Sequence, residues 1–125
     1  MQTITIPQNL PETGYRVPVV ATFIGFKNVP LIAVAYNNIS SSLILFEDYV
    51  EYKVCRTRRY NYSKIDSVGV YRTIGTENIE FNFRSSLFSF SGNLFEKENL
   101  IELLEFFQRK GLKLTDKAAA LLNES

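Results

Sequence analysis

Apolar residues recur along this chain with two different periods. Ile79, Phe81 and Phe83 alternate with Glu80, Asn82 and Arg84. Side chains on a strand point to opposite faces in turn, so this pattern predicts a strand with one face on a core and the other toward water. Val50, Tyr52 and Val54 alternate with Glu51, Lys53 and Cys55 in the same way, behind an apolar run at residues 43–46. Between them, Glu47, Asp48 and Tyr49 suit the turn of a hairpin. Residues 17–26 and 31–36 are rich in β-branched and aromatic side chains, with Pro30 between them and Asn37 and Asn38 after them. They read as two buried strands. A polar corner or short edge strand is expected at residues 56–59, then a strand at 65–72 and a turn around Gly75, Thr76, Glu77 and Asn78. Ser85 and Ser86 turn into a strand over residues 87–91, whose Phe88 and Phe90 would point to the core.

From Gly92 onward the period is helical. Leu100, Leu103, Leu104 and Phe107, joined by Ile101, fall on one stripe, with Glu96, Lys97, Glu98, Glu102, Glu105 and Arg109 elsewhere. Acidic residues in the first turns and Arg109 and Lys110 in the last complement the helix dipole. Gly111 stands where a glycine would end the helix. Thr115 and Asp116 could start a second, short helix over residues 118–122. The expected organisation is one domain: an irregular arm at 1–16 carrying Pro7, Pro11 and Gly14, antiparallel strands over 17–91, a capping helix at 94–111, and a tail or short helix at 112–125. Strands in an unbroken meander followed by a helix predict an α+β, mainly β class: a strongly bent antiparallel sheet, or partly open barrel, capped by one C-terminal amphipathic helix.

Composition narrows the function classes. Of the 125 residues 46% are apolar, including ten Phe and seven Tyr, which is ample for one core and excludes general disorder. Fourteen basic and thirteen acidic side chains leave a net charge of +1, without the basic excess of a nucleic-acid binder. Cys55 is the sole cysteine, so neither an internal disulfide nor a thiolate metal cluster can form, and a cytoplasmic location is expected. The first residues lack the basic start and apolar core of a signal peptide. Residues 17–36 are interrupted by Pro18, Lys27, Asn28 and Pro30, and no transmembrane segment is expected.

The order of elements resembles the pleckstrin-homology superfold, a bent seven-stranded sheet capped by a C-terminal helix. The local resemblance is to bacterial domains of that kind and covers roughly residues 40–111. Residues 43–52 look like their opening hairpin. Residues 60–68, with Ile65 and Val68 three apart, look like their polar step into a strand; residues 81–90 and the helix fit the remaining order. The resemblance implies a fold more than a function. Members that bind phosphoinositides have basic residues in the first hairpin loop, whereas this loop carries Glu47 and Asp48.

No chemistry of catalysis is legible. The chain has no histidine, which removes the usual general base and the commonest metal ligand. Cys55 would lack an imidazole partner, the carboxylates pair only as turn and helix-start residues, and no phosphate-cradling glycine loop is present. No catalytic residue, cofactor or metal site is assigned, and the chain is not expected to be an enzyme.

Two surfaces carry the functional expectation. Lys53, Arg56, Arg58, Arg59 and Lys64 are interleaved with Tyr52, Tyr60 and Tyr62, a mixture that can hold anions, although charge on an exposed strand also discourages aggregation. The apolar residues Val20, Phe23, Ile24 and Phe26, with Val19, Leu31 and Ile32 nearby, either complete the sheet or meet another chain. The leading expectation is a non-catalytic protein-interaction or assembly module, with a protein partner or a second copy of itself. The alternative is a peripheral module for anionic lipid. A carrier with a cavity lined by Phe81, Phe83, Phe88 and Phe90 is least favoured, because close-packed interiors leave little room.

Overall fold

The computed structural model describes residues 3–124 except 27–28, 38–40, 55, 74–75, 85, 87 and 95; of residues 26, 29–37, 73, 76 and 88 it describes the backbone alone. The expectation for Cys55 therefore lies outside the described residues. The strands are β1 (Tyr15–Val17), β2 (Thr22–Phe26), β3 (Val29–Asn37), β4 (Ser42–Leu45), β5 (Tyr49–Val54) and β6 (Arg56–Asn61), then, after a 3-10 turn (Tyr62–Lys64), β7 (Ile65–Thr73), β8 (Thr76–Phe83) and β9 (Phe88–Leu94). Helices α1 (Lys97–Arg109) and α2 (Asp116–Glu124) follow.

The strands form two antiparallel sheets. One has four strands in the order β1-β4-β5-β6; the other has five, in the order β3-β2-β9-β8-β7. The alternation in the sequence decides what lies between them. Val50, Tyr52 and Val54 are buried on the four-stranded side, and Ile79, Phe81, Phe83, Phe90 and Leu94 on the five-stranded side. The sheets meet through aromatic rings: Tyr52 lies 4.2 Å from Phe90 and 5.9 Å from Phe83, and Phe81 stacks on Phe90 at 5.3 Å. Residues proposed to line a carrier cavity thus pack on one another; the side chain of Phe88 lies outside the description. A hydrogen bond from Thr22 Oγ1 to the Lys53 carbonyl, 2.5 Å, ties β2 to β5.

Helix α1 delivers Leu100, Leu103, Leu104, Phe106 and Phe107 into this core, all buried, with Phe107 set edge-on to Phe81 at 5.2 Å. Each fully buried Leu or Phe contributes roughly 1.5–3 kcal/mol. The helix stops at Gly111, whose φ of 83° suits glycine. There the Gly111 N–H donates to the Gln108 carbonyl and the Leu112 N–H to that of Phe107, at 3.0 Å each, which satisfies two end carbonyls. Residues 113–115 then bond to β7 in parallel through Val68, and α2 packs with its buried Ala118. None of the helices is long and apolar enough to cross a membrane among the described residues.

Several boundaries differ from the expected ones, each for a physical reason. Pro18 has no N–H to continue a ladder, so residues 17–26 split: β1 joins β4, residues 18–21 cross over, and β2 joins β9. Residues 15 and 16, expected in the arm, belong to β1. Asn78, read as a turn former, lies within β8 and donates from its side-chain amide to the Tyr71 carbonyl at 3.1 Å. Leu94 buries its side chain as the last residue of β9, so α1 begins at Lys97 rather than 94. The arm itself is anchored. Ile4 and Ile6 are buried, and their N–H groups donate to Asn99 Oδ1 at 2.8 Å and Glu102 Oε2 at 2.7 Å on α1. Gly14, φ 84°, closes the turn that returns the arm to β1, where a Cβ would collide with Ile44 and Phe46.

Candidate functional site

The strand register sorts the basic and aromatic residues onto different surfaces. Residues facing each other on neighbouring strands share a side of the sheet. Glu51 faces Arg59 and Lys53 faces Thr57, on the side away from the core. Tyr52 faces Arg58, Val50 faces Tyr60 and Val54 faces Arg56, on the core side. Lys53 and Arg59 are thus separated from Arg56, Arg58 and Tyr60 by the sheet itself.

On the outer side one ion pair is settled within the chain. Arg59 Nε lies 2.8 Å from Glu51 Oε1, and the guanidinium sits 5.4 Å from the centre of the Tyr49 ring, which stacks on Phe46 at 4.6 Å. The bond to Glu51 and the neighbouring Tyr49 raise the pKa of Arg59 above its ordinary value.

On the core side the edge strand is less complete. β6 ends the order of its sheet, so among the described residues one of its backbone edges has no neighbouring strand. Tyr60 is half-buried with its ring on Phe83, 4.2 Å between centres. Next to it, Arg58 has its Nε removed from solvent with no hydrogen-bond partner among the described residues. A guanidinium donor left bare in this way costs free energy comparable to a lost hydrogen bond. Burial raises the pKa of the Tyr52 hydroxyl, Tyr60 adds to the rise, and Arg58 works against it.

The remaining two residues lie around the corner. Tyr62 is 7% exposed and belongs to the core. Its hydroxyl donates to the Phe46 carbonyl at 2.5 Å, its ring stands edge-on to Phe106 and Phe107, and burial with the nearby Glu47 and Asp48 raises its pKa. It therefore braces the β4–β5 turn rather than offering a surface. Lys64 is exposed at the end of the 3-10 turn. Beyond it, a cleft of about 300 Å³ carries Arg84, Lys110 and Lys113. Two of these cations are matched inside the chain, Arg84 by Asp66 at 3.2 Å and Lys110 by Glu47 at 3.0 Å.

A comparison with known protein families and with curated proteins finds no match to this chain. The geometry therefore carries the reading alone. Among the described residues, no group of three metal-ligating side chains is placed to hold an ion.

The apolar segment is taken up by the chain's own sheet. β2 lies between β3 and β9, so both of its backbone edges are used. Val20, Phe23 and Ile24 are half-buried, and the side chain of Phe26 lies outside the description. Sequence reasoning gave Glu80 and Asn82 to water, yet Asn82 is 7% exposed and Glu80 only half-exposed. The available signal was the company they keep: Ser67, Gly69, Ser89 and Ser91, small residues on both neighbouring strands, leave room for Tyr71 to reach Ser91 and for Thr115 to pack on Gly69.

Proposed function

We propose that this chain is a non-catalytic protein-interaction module of pleckstrin-homology-like fold, its two sheets forming a bent, partly open barrel with α1 at one end. It works in the cytoplasm and takes an extended acidic segment of a protein partner along β6. One observation carries this reading. Among the described residues β6 has an unpaired backbone edge, and beside that edge Arg58 holds a buried Nε with no acceptor. An added strand would satisfy the backbone edge by main-chain bonds, while its carboxylates would meet Arg56 and Arg58. The same charges discourage pairing with chance strands.

The test is fluorescence anisotropy with a labelled extended peptide that alternates Glu and Val. The native chain binds it in a salt-sensitive manner, and the double variant Arg56→Glu with Arg58→Glu weakens binding by about tenfold or more. Absence of peptide binding, together with salt-sensitive sedimentation on acidic vesicles, would replace this reading with the anionic-lipid one.

A further inference from the structure

β7 ends the order of the five-stranded sheet, and the chain covers only part of its free edge. The Val68 N–H donates to the Lys113 carbonyl at 2.8 Å, and the Val68 carbonyl accepts from the Thr115 N–H at 2.9 Å. Val68 thus turns its backbone groups away from β8. In an antiparallel pair that direction repeats at every second residue, and β7 pairs with β8 without a shift from Ser67 to Thr73. Val70 and Arg72 therefore present their N–H and C=O groups on the same outer edge as Val68. The covering segment ends at Thr115, and among the described residues no backbone group bonds to Val70 or Arg72 on that side.

Room remains where the cover stops. A cleft of about 340 Å³ lies between β7, at Val70 to Arg72, and α2, within the roughly 300–1,000 Å³ of clefts that take ligands. The α2 wall carries Lys117, Ala120, Leu121 and Glu124, which fall on one face at helical spacing. Ala120 is exposed, and Val70 and Leu121 are half-buried, so apolar surface is open along it. The charges are unevenly matched. Arg72 is taken by Glu77, with Nε 3.0 Å from Oε1. Lys97, on the α1 side, and Lys117 form no ion pair among the described residues, and against them the lining sets one unpaired acid, Glu124. Neither lysine has an acid three or four positions away. Each also stands in the first turn of its helix, where the dipole disfavours a cation. The helices themselves gain nothing from either charge.

We infer that this cleft takes a short extended segment of a protein partner, paired through its backbone to β7 at Val70 and Arg72, with acidic side chains toward Lys97 and Lys117. A row of main-chain donors and acceptors is matched by another main chain rather than by a lipid or a compact anion. The two unpaired lysines select an acidic segment, and Val70, Ala120 and Leu121 seat its apolar side chains. Residues 113–115 of the chain already use the same edge in this way, at Val68. The site lies on the other sheet from β6 and is independent of it.

The experiment is a two-dimensional NMR titration of the whole chain with acetyl-Val-Asp-Val-Asp-Val-amide, and with its fully N-methylated form, which lacks main-chain donors, as the control. The first peptide is expected to shift the amides of Val70, Arg72 and Leu121 saturably, and the N-methylated form to leave them in place. Lys97→Glu with Lys117→Glu is expected to weaken the response by about tenfold. Acid is favoured in the first turn of a helix, so the melting temperature of that variant should not fall. Arg56→Glu with Arg58→Glu is expected to leave the shifts at Val70 and Arg72 unchanged, which separates this site from the β6 edge. Equal responses to the two peptides, no response, shifts confined to other surfaces, or an undiminished response in the lysine variant would overturn the proposal. So would loss of these shifts in the β6 variant, or a fall in the melting temperature of the lysine variant, since the lysines would then serve the fold.

Discussion

The outer faces of the two sheets hold their charges in opposite ways. On the four-stranded sheet, Arg59 reaches Glu51 directly across the ladder and lies over Tyr49, so an exposed pair is settled where it stands. On the five-stranded sheet, Glu80 has the Asn82 amide at 3.5 Å and no ion pair among the described residues. The first face resembles any solvated antiparallel surface, in which charge keeps the strand soluble and contributes little else. The second keeps its one carboxylate partly out of water and leaves it uncompensated. The lesson is that exposure and pairing separate here: the acid on the more charged face is matched by an arginine, and the acid on the less charged face is not.

That contrast can be broken at several strengths. The strongest intervention is in the core that joins the two sheets. Phe90→Ala removes a ring packed on Tyr52 and Phe81, and should cost about 3–5 kcal/mol in urea unfolding, with both sheets lost in one transition. Two separate transitions would mean that the sheets are independent units. Next is Thr22→Val, which removes the donor to the Lys53 carbonyl and should cost about 1–3 kcal/mol in the same experiment.

Smaller, and opposite in sign, is Glu80→Gln. Burial raises the pKa of this carboxyl in the folded chain, so the folded state holds the proton more tightly than the unfolded one. Stability from this group is full below the unfolded value and is lost as pH rises through the folded one. The variant should therefore melt higher than the native chain at neutral pH, and the difference should close below roughly pH 4. A constant difference across that range would assign the effect to packing. The smallest expected effect is Glu51→Gln on the other sheet, which should move the melting temperature by no more than roughly 2 °C. A larger fall would show that the pair with Arg59 is structural.

How much of this was legible in the sequence depended on how local the cause was. The alternation at residues 50–54 and 79–83 and the stripe from Leu100 to Phe107 each record a single element meeting a core, and the buried residues fall on those positions. Pairing between distant segments leaves no such record. The first sixteen residues read as an irregular arm because the acceptors for Ile4 and Ile6 lie on α1, and no nearby pattern contains them. The candidate site shows the same division. The arginines and tyrosines between residues 53 and 64 were visible as a list, whereas the register that turns Arg58 inward and Arg59 outward was not. Tyr62 was misplaced because a 3-10 turn, not a strand, sets its direction.

The anchored arm carries a consequence for how the chain is made. Ile4 donates to a residue 95 positions later and Ile6 to one 96 positions later. Synthesis is vectorial, so these two core residues have no seat until α1 has followed them from the ribosome. The hairpins from β4 to β9 can close in the meantime, and the arm docks last. Until then the arm is older than the seat it will occupy.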